Sequence, residues 1–189
     1  MPEKIITAPT SEPVTLAEAK AQLRVTNSYE DALIASLIVA ARDLCEAETG
    51  RALMPQTWEL SLNCFSDEMC LQHVPVASIT SIKYTDADGA EQTLASTEYV
   101  LDTSSNWKSR VVLAVGKSWP QIYSGINNVR IRYVAGYPNA SAVPQSLKQW
   151  MLLQISHWFR NRESVSMNGA GAKLEFVDNL LNAYRIYNL

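Results

Sequence analysis

Acid–base or nucleophilic chemistry in this chain would have to draw on two imidazoles, His73 and His157, and three thiols, Cys45, Cys64 and Cys70. A Ser-His or Cys-His catalyst must recruit one of those histidines, and neither stands in a nucleophile motif, because the chain contains no Gly-x-Ser-x-Gly and no His-x-x-x-His. His157 lies beside Trp158 in a dense helical stretch, which suits packing or a surface position. Cys64 and Cys70 flank an expected turn near His73, but a zinc site usually needs four ligands, and an odd number of cysteines is poor material for a disulfide framework. Free, mostly buried thiols are expected. Asp86-x-Asp88-Gly89 matches only the opening of a calcium loop, without its later oxygen ligands or terminal glutamate, so turn chemistry accounts for it better. Gly169-Ala-Gly-Ala-Lys173 lacks the spacing and strand-to-helix setting of a phosphate cradle. Among the carboxylates, Glu46 and Glu48 point in different directions on a helix, and Asp67 and Glu68 sit in a turn. Separated acids such as Asp43, Asp102 and Glu163 could meet only through the fold. No metal and no cofactor is expected.

Arg130 and Arg132 alternate and therefore share one strand face, where Lys83 and Lys117 could join them. Solvated charges are the ordinary outer face of an antiparallel sheet, and no nucleic-acid recognition motif accompanies these. The formal net charge of −3 disfavours a nonspecific DNA coat, which relies on cationic surface to release counterions. With 189 residues, 47% hydrophobic and 19% charged, the chain can bury a sizeable core and is globular in composition. No apolar run approaches the roughly 20 residues needed to span a bilayer, and Met1–Thr10 lacks the apolar core of a signal peptide. A soluble protein made in a cytoplasm is expected.

The elements that would position these groups begin with helices. Thr15 followed by Glu18 is a capping box, with Pro13 keeping the approach extended. A second helix is expected from Ser28, with Asp31 three residues on, to a stop at Gly50. Its apolar residues Leu33, Ile34, Leu37, Ile38, Ala41, Leu44 and Cys45 recur at helical spacing. Ala32, Ala35, Ala40, Ala41 and Ala47 widen that face beyond one stripe, enough to cover an intramolecular core or to meet a second neighbour.

After Arg51 the period changes to two. Strands are expected at Gln56–Leu62, Cys70–Val74, Ile79–Thr85, Gln92–Leu94, Tyr99–Asp102, Arg110–Val115 and Val129–Ala135, with a hairpin loop at Asp86–Gly89 in which Gly89 supplies a positive φ. Helix returns after Val143-Pro144, with Leu147, Trp150, Met151, Ile155, Trp158 and Phe159 at helical spacing up to about Arg162. A flexible loop, Glu163–Lys173, and a short helix, Val177–Tyr184, complete the chain before the apolar tail Arg185–Leu189. The expected fold is α+β, with N- and C-terminal helices in one bundle (residues 1–54 and 138–189) and an inserted antiparallel β domain (residues 55–137).

Several stretches carry a family resemblance: Pro13-Val-Thr-Leu-Ala-Glu-Ala-Lys-x-x-Leu-Arg-Val25, Glu30-Asp-Ala-Leu-Ile34, Glu48-Thr-Gly-Arg-Ala-Leu53 and Gln56-Thr-Trp-Glu-Leu60. Tyr84-x-Asp-Ala-Asp-Gly89, Trp119-Pro120, Tyr133-x-Ala-Gly-Tyr137, Val143-Pro144, His157-Trp158 with Asn161-Arg162-Glu163, and Leu181-x-x-Tyr-Arg-Ile186 follow in order. Across nearly its full length the chain resembles the head-tail connector, or adaptor, proteins of tailed bacteriophages and prophages. That resemblance implies a non-catalytic virion protein at the head-tail interface. It would form a ring, usually of twelve copies, bind the portal, meet a tail or stopper protein, and extend a channel through which double-stranded DNA passes without sequence-specific contacts. The acidic net charge is compatible with such a lumen. In that setting Leu33, Leu37, Ala40, Ala41 and Leu44, with flanks of the β domain, are expected at subunit contacts. Tyr184, Arg185, Ile186, Tyr187 and Leu189 are expected either to order on the portal or to pack on their own domain. A DNA-binding or other phage assembly module, or a hydrolase with a dispersed acid/His site, is the alternative.

Overall fold

Period-two and period-3.6 stretches of the sequence separate cleanly into two compact units of the computed structural model, which describes residues 3–161 and 175–186. One unit comprises Met1–Thr10 and Met54–Pro138; the other comprises Ser11–Leu53 and Asn139–Leu189. The chain is thus α+β with antiparallel sheets. The first ten residues belong to the β unit, whereas the sequence suggested the helical side for them.

In the β unit, eight strands form two sheets: β1 (Glu3–Thr7), β2 (Gln56–Leu62), β3 (Glu68–Leu71), β4 (Val76–Thr85), β5 (Glu91–Thr93), β6 (Tyr99–Asp102), β7 (Ser109–Leu113) and β8 (Val129–Ala135). The larger sheet runs β1-β2-β8-β4-β5 and the smaller β3-β7-β6, with every pairing antiparallel. β8 lies at the centre because its alternation is the cleanest: Val129, Ile131, Tyr133 and Ala135 are buried while Arg130, Arg132 and Val134 are half-buried. Leu60, Ile82, Met69 and Val111 join them in the core. The β4–β5 hairpin closes through Asp86, whose carboxylate accepts from the backbone N–H of Asp88 (3.1 Å) and Ala90 (2.9 Å), while Gly89 takes φ +85°. β3 and β4 start earlier than their alternation suggested, at Glu68 and Val76. β1 was not expected at all: Ile5 and Ile6 are adjacent rather than alternating, so the segment carries no period-two signal.

The helical unit contains α1 (Leu16–Leu23), α2 (Asp31–Thr49), α3 (Gln145–Arg160) and α4 (Glu175–Asn182). α1 begins with the expected capping box: the Glu18 N–H donates to Thr15 Oγ1 at 3.2 Å and the Thr15 N–H to Glu18 Oε2 at 2.7 Å. α2 starts at Asp31, not Ser28, and its first turn has no side-chain cap. The reason is tertiary, since the Asp31 carboxylate is taken by Lys20 Nζ of α1 at 2.6 Å. α2 ends at Gly50, which adopts the left-handed conformation (φ +70°). Ile34, Ile38, Ala41 and Cys45 of α2 and Leu147, Trp150, Met151 and Ile155 of α3 are buried, while Trp158 and Phe159 are half-buried. The Glu163–Lys173 loop lies outside the described residues. Among the described residues no helix is long and apolar enough to cross a membrane.

Candidate functional site

Burial splits the broad apolar surface of α2 into two stripes. Ile34, Ile38, Ala41 and Cys45 face the chain's own core, and one residue back along each turn lies a second row, Leu33, Leu37, Ala40 and Leu44. Leu33 and Ala40 are exposed and Leu37 and Leu44 half-buried. Val39 is exposed as well. Of the five residues expected at a subunit contact, four thus remain accessible. Ala41 does not: it is fully buried within the chain, because the 100° step between successive helical positions puts it on the core side.

A charged lattice fixes the C-terminal half of α2. Arg42 is almost completely buried and donates to Glu12 (2.8 Å), Asp43 (2.7 Å) and Glu46 (3.3 Å), and the Leu53 N–H donates to the second oxygen of Glu46 at 2.7 Å. Arg42 gave no signal in the sequence beyond sitting on an apolar helix, since one of its acids, Glu12, comes from the segment before α1 and joins Asp43 and Glu46 of α2 only in the fold. Cys45 sits one turn on, its thiol pushed up to about 12 by burial and so inert.

The C-terminal tail is docked at the same helix end. The Ile186 N–H donates to the Thr49 carbonyl (2.9 Å), Arg51 Nε donates to the Tyr184 carbonyl (2.7 Å), Arg51 lies over the Tyr184 ring, and Arg185 pairs with Glu48 at 2.8 Å. Tyr184, Arg185 and Ile186 therefore pack on their own domain, one of the two placements the sequence left open. Tyr187 and Leu189 lie outside the described residues.

The arginine stripe is neutralised across strands. Arg132 on β8 donates to Glu59 on β2 (2.7 Å), which also meets Lys4 on β1 (3.5 Å); Arg130 pairs with Glu91 on β5, which accepts from Lys83 on β4 (2.7 Å). Lys117 pairs with Glu98 at 2.9 Å. Arg110 on β7 likewise joins Asp102 (2.8 Å) and Glu68. The carboxyl of Glu68 is held below the ordinary range by Lys108 and Arg110, that of Glu91 by Lys83 and Arg130, and that of Asp102 by hydrogen bonds from Ser104 and by Arg110. A ladder of alternating sign is a poor match for a polyanion, which needs uncompensated cations.

His73 is the histidine that the fold encloses. Its ring stacks on Trp58 (centroids 3.7 Å apart), and its Nε2 lies 3.3 Å from Glu3 Oε2, which also accepts from the Tyr133 hydroxyl at 3.1 Å. Burial drives the His73 pKa down to about 4, and raises those of Glu3 and Tyr133. The cluster is a side-chain clamp on β1. It does not bring Cys64 or Cys70 together with His73 as ligands: no group of three or more His, Cys, Asp or Glu residues among those described could hold a metal ion. The dispersed acids also stay apart, Asp43 on Arg42 and Asp102 on Arg110, with Glu163 outside the described residues. His157 is exposed and lies 3.3 Å from the Asn161 side chain.

Residues 13–186 match the family model described as head completion protein. The chain belongs to the head completion protein family. Solved structures agree with this over the whole chain. A chain in the neck of the empty GTA particle, solved with C6 symmetry, is 27% identical, with a TM-score of 0.83 and coverage of 100% of this chain and 97% of that one. Chains from the virion of the native gene transfer agent particle (TM-score 0.81) and from its neck with C12 symmetry (0.79) match at the same identity and coverage. No curated protein matches. Head completion proteins are structural parts of the head-tail region of phage-like virions, and this member is one of them, located at the virion's head-tail interface.

Proposed function

We propose that this head completion protein is a head-tail adaptor: a ring, built of twelve copies, that binds the portal, receives a tail or stopper protein, and continues the DNA channel between them. The observation that carries the reading is the full-length likeness to a chain of a particle neck, covering 97% of that chain, together with a family match that begins before α1 and ends in the docked tail. The C6 and C12 symmetries of those necks support a cyclic assembly with twelve as a multiple of six. In this reading α1–α4 form the connector bundle and residues 54–138 the inserted β domain. The outer row Leu33, Leu37, Ala40 and Leu44 supplies a heterologous contact to the next subunit, and Tyr187 and Leu189 supply a contact to the portal.

The role is physical rather than catalytic. His73 is enclosed as a neutral ring, and the dispersed acids Asp43 and Asp102 are held in ion pairs with Arg42 and Arg110. DNA crosses the lumen without sequence-specific binding, in line with the net charge of −3 and the paired arginines. Mixing the protein with its portal tests this: the expected result is a cyclic complex by electron microscopy, and persistent failure to associate under assembly conditions overturns the adaptor reading.

A further inference from the structure

A ring requires each subunit to present two different surfaces that fit one another, and the β unit has four strand edges to offer. Two are blunted. β5 is three residues long and wholly polar, with Glu91 spent on Lys83 and Arg130. β3 buries Met69 and Leu71 and ends its row at Glu68, which is paired with Lys108 and Arg110. The other two edges carry exposed apolar side chains. β1 exposes Ile5 (45%) and Ile6 (38%), and β6 exposes Val100 (49%). Open edges with exposed apolar side chains invite strand addition, and proteins normally protect them with charge, proline or very short length.

The two open edges also lie on opposite flanks of the unit. β1 is tied to the β3 side, because Glu3 accepts from the Gln72 N–H (3.4 Å) and meets His73, the residues that directly follow β3. β6 lies on the β5 side, joined to β5 by residues 94–98, the first of which continues the pairing with β4 through its N–H to the Ile82 carbonyl (2.8 Å). Edges on one flank could pair only two copies face to face. Edges on opposite flanks pass a strand ladder from copy to copy.

We propose that the β1 edge of one subunit pairs with the β6 edge of the next, so that a β belt closes around the ring in addition to the α2 contact. The occupant of each edge is a second copy of this chain, and the inference rests on the ring reading above. β1 and β6 have five and four residues, and a register that sets Ile5, at the centre of β1, beside Val100 brings the exposed apolar side chains of the two edges together. Backbone hydrogen bonds supply the contact, with Ile5, Ile6 and Val100 covering each other. The Glu3–His73–Tyr133 clamp then has a purpose, holding β1 in its own sheet while its far edge is pulled by a neighbour.

The test uses the full chain assembled on its portal. With Cys64→Ser and Cys70→Ser as background, Ile5→Cys and Val100→Cys together should give, on mild oxidation, a ladder of disulfide-linked species, whereas either cysteine alone should give none. Separately, Ile5→Lys or Val100→Lys should cut ring yield by more than about tenfold while leaving the far-ultraviolet circular dichroism and thermal midpoint of the monomer in place. A mixture of the two lysine variants retains one intact junction and should yield dimers without rings. Wild-type rings with no ladder from the double cysteine variant overturn the edge pairing and leave the adaptor reading standing. A wild type that forms no cyclic species with its portal overturns both.

Discussion

His73 is a residue whose surroundings set its proton affinity. Its pKa in the fold, about 4, lies below the 6.5 of an unhindered imidazole because burial penalises the charged ring. The sign follows from proton binding: between those values the unfolded chain takes up a proton that the folded chain refuses, so stability is fully present above 6.5 and falls as pH drops toward 4. Glu3, raised by burial, works in the opposite sense. The urea midpoint should therefore fall on acidification from pH 7 to 5, and His73→Gln should flatten that slope; an unchanged slope in the variant would show that the ring is not responsible. Gly50 is the other residue with a conformational constraint. At φ +70° an added Cβ would also stand 3.4 Å from Ile186 Cβ, at the edge of what that contact allows. Gly50→Ala should cost about 1–2 kcal/mol, seen as a lower thermal midpoint. Position 50 was legible as a helix stop from glycine alone. That Ile186 presses on it was not, since the two are far apart in sequence.

Elements differ in how much of their start and end is written locally. α1 is capped by its own residues, so Thr15→Ala should lose the arm in which the Thr15 hydroxyl accepts from the Glu18 N–H, keep the backbone N–H arm to Glu18, and cost about 1 kcal/mol, measurable as a shift in urea midpoint without a change in m-value. α2 shows the converse. Its expected start at Ser28 presumed that Asp31 would serve the helix N-terminus, and instead the carboxylate is 2.6 Å from Lys20 on the preceding helix. β8 and β2 were readable to their boundaries because apolar and polar residues alternate along them, Trp58, Leu60 and Leu62 against Thr57, Glu59 and Ser61 in β2. β1 was invisible because its reason for being a strand lies in β2 and in the pocket that receives Glu3.

For the molecule as a whole, the apolar surface of α2 divides into two rows, and the proposed subunit contact draws on only one of them. The inner row is spent on the chain's own core, and the outer row is not. Leu37→Glu changes the outer row only, and should leave the monomer's helical circular dichroism intact while abolishing the cyclic complex with the portal. Ala41→Glu should instead unfold or severely destabilise the subunit, since Ala41 is fully buried and an unpaired carboxylate there has no partner. Size-exclusion chromatography with light scattering separates the two outcomes. The same partition explains the arginine stripe. Period two revealed that Arg130 and Arg132 share a face, but only the sheet order β2-β8-β4-β5 brings Glu59 and Glu91 to them.

The sequence by itself determined the element types, the capping of α1, the stop at Gly50, the hairpin at Asp86–Gly89 and the family, because each depends on residues within a few positions of one another or on matches in order along the chain. The tertiary structure alone decided which apolar row of α2 is spent inside, that Tyr184–Ile186 folds back on α2, that β1 exists and is clamped by His73, and which strand edges stay open. Those features are set by contacts between residues distant in sequence, and solvent exposure is a property of packing that no local pattern encodes.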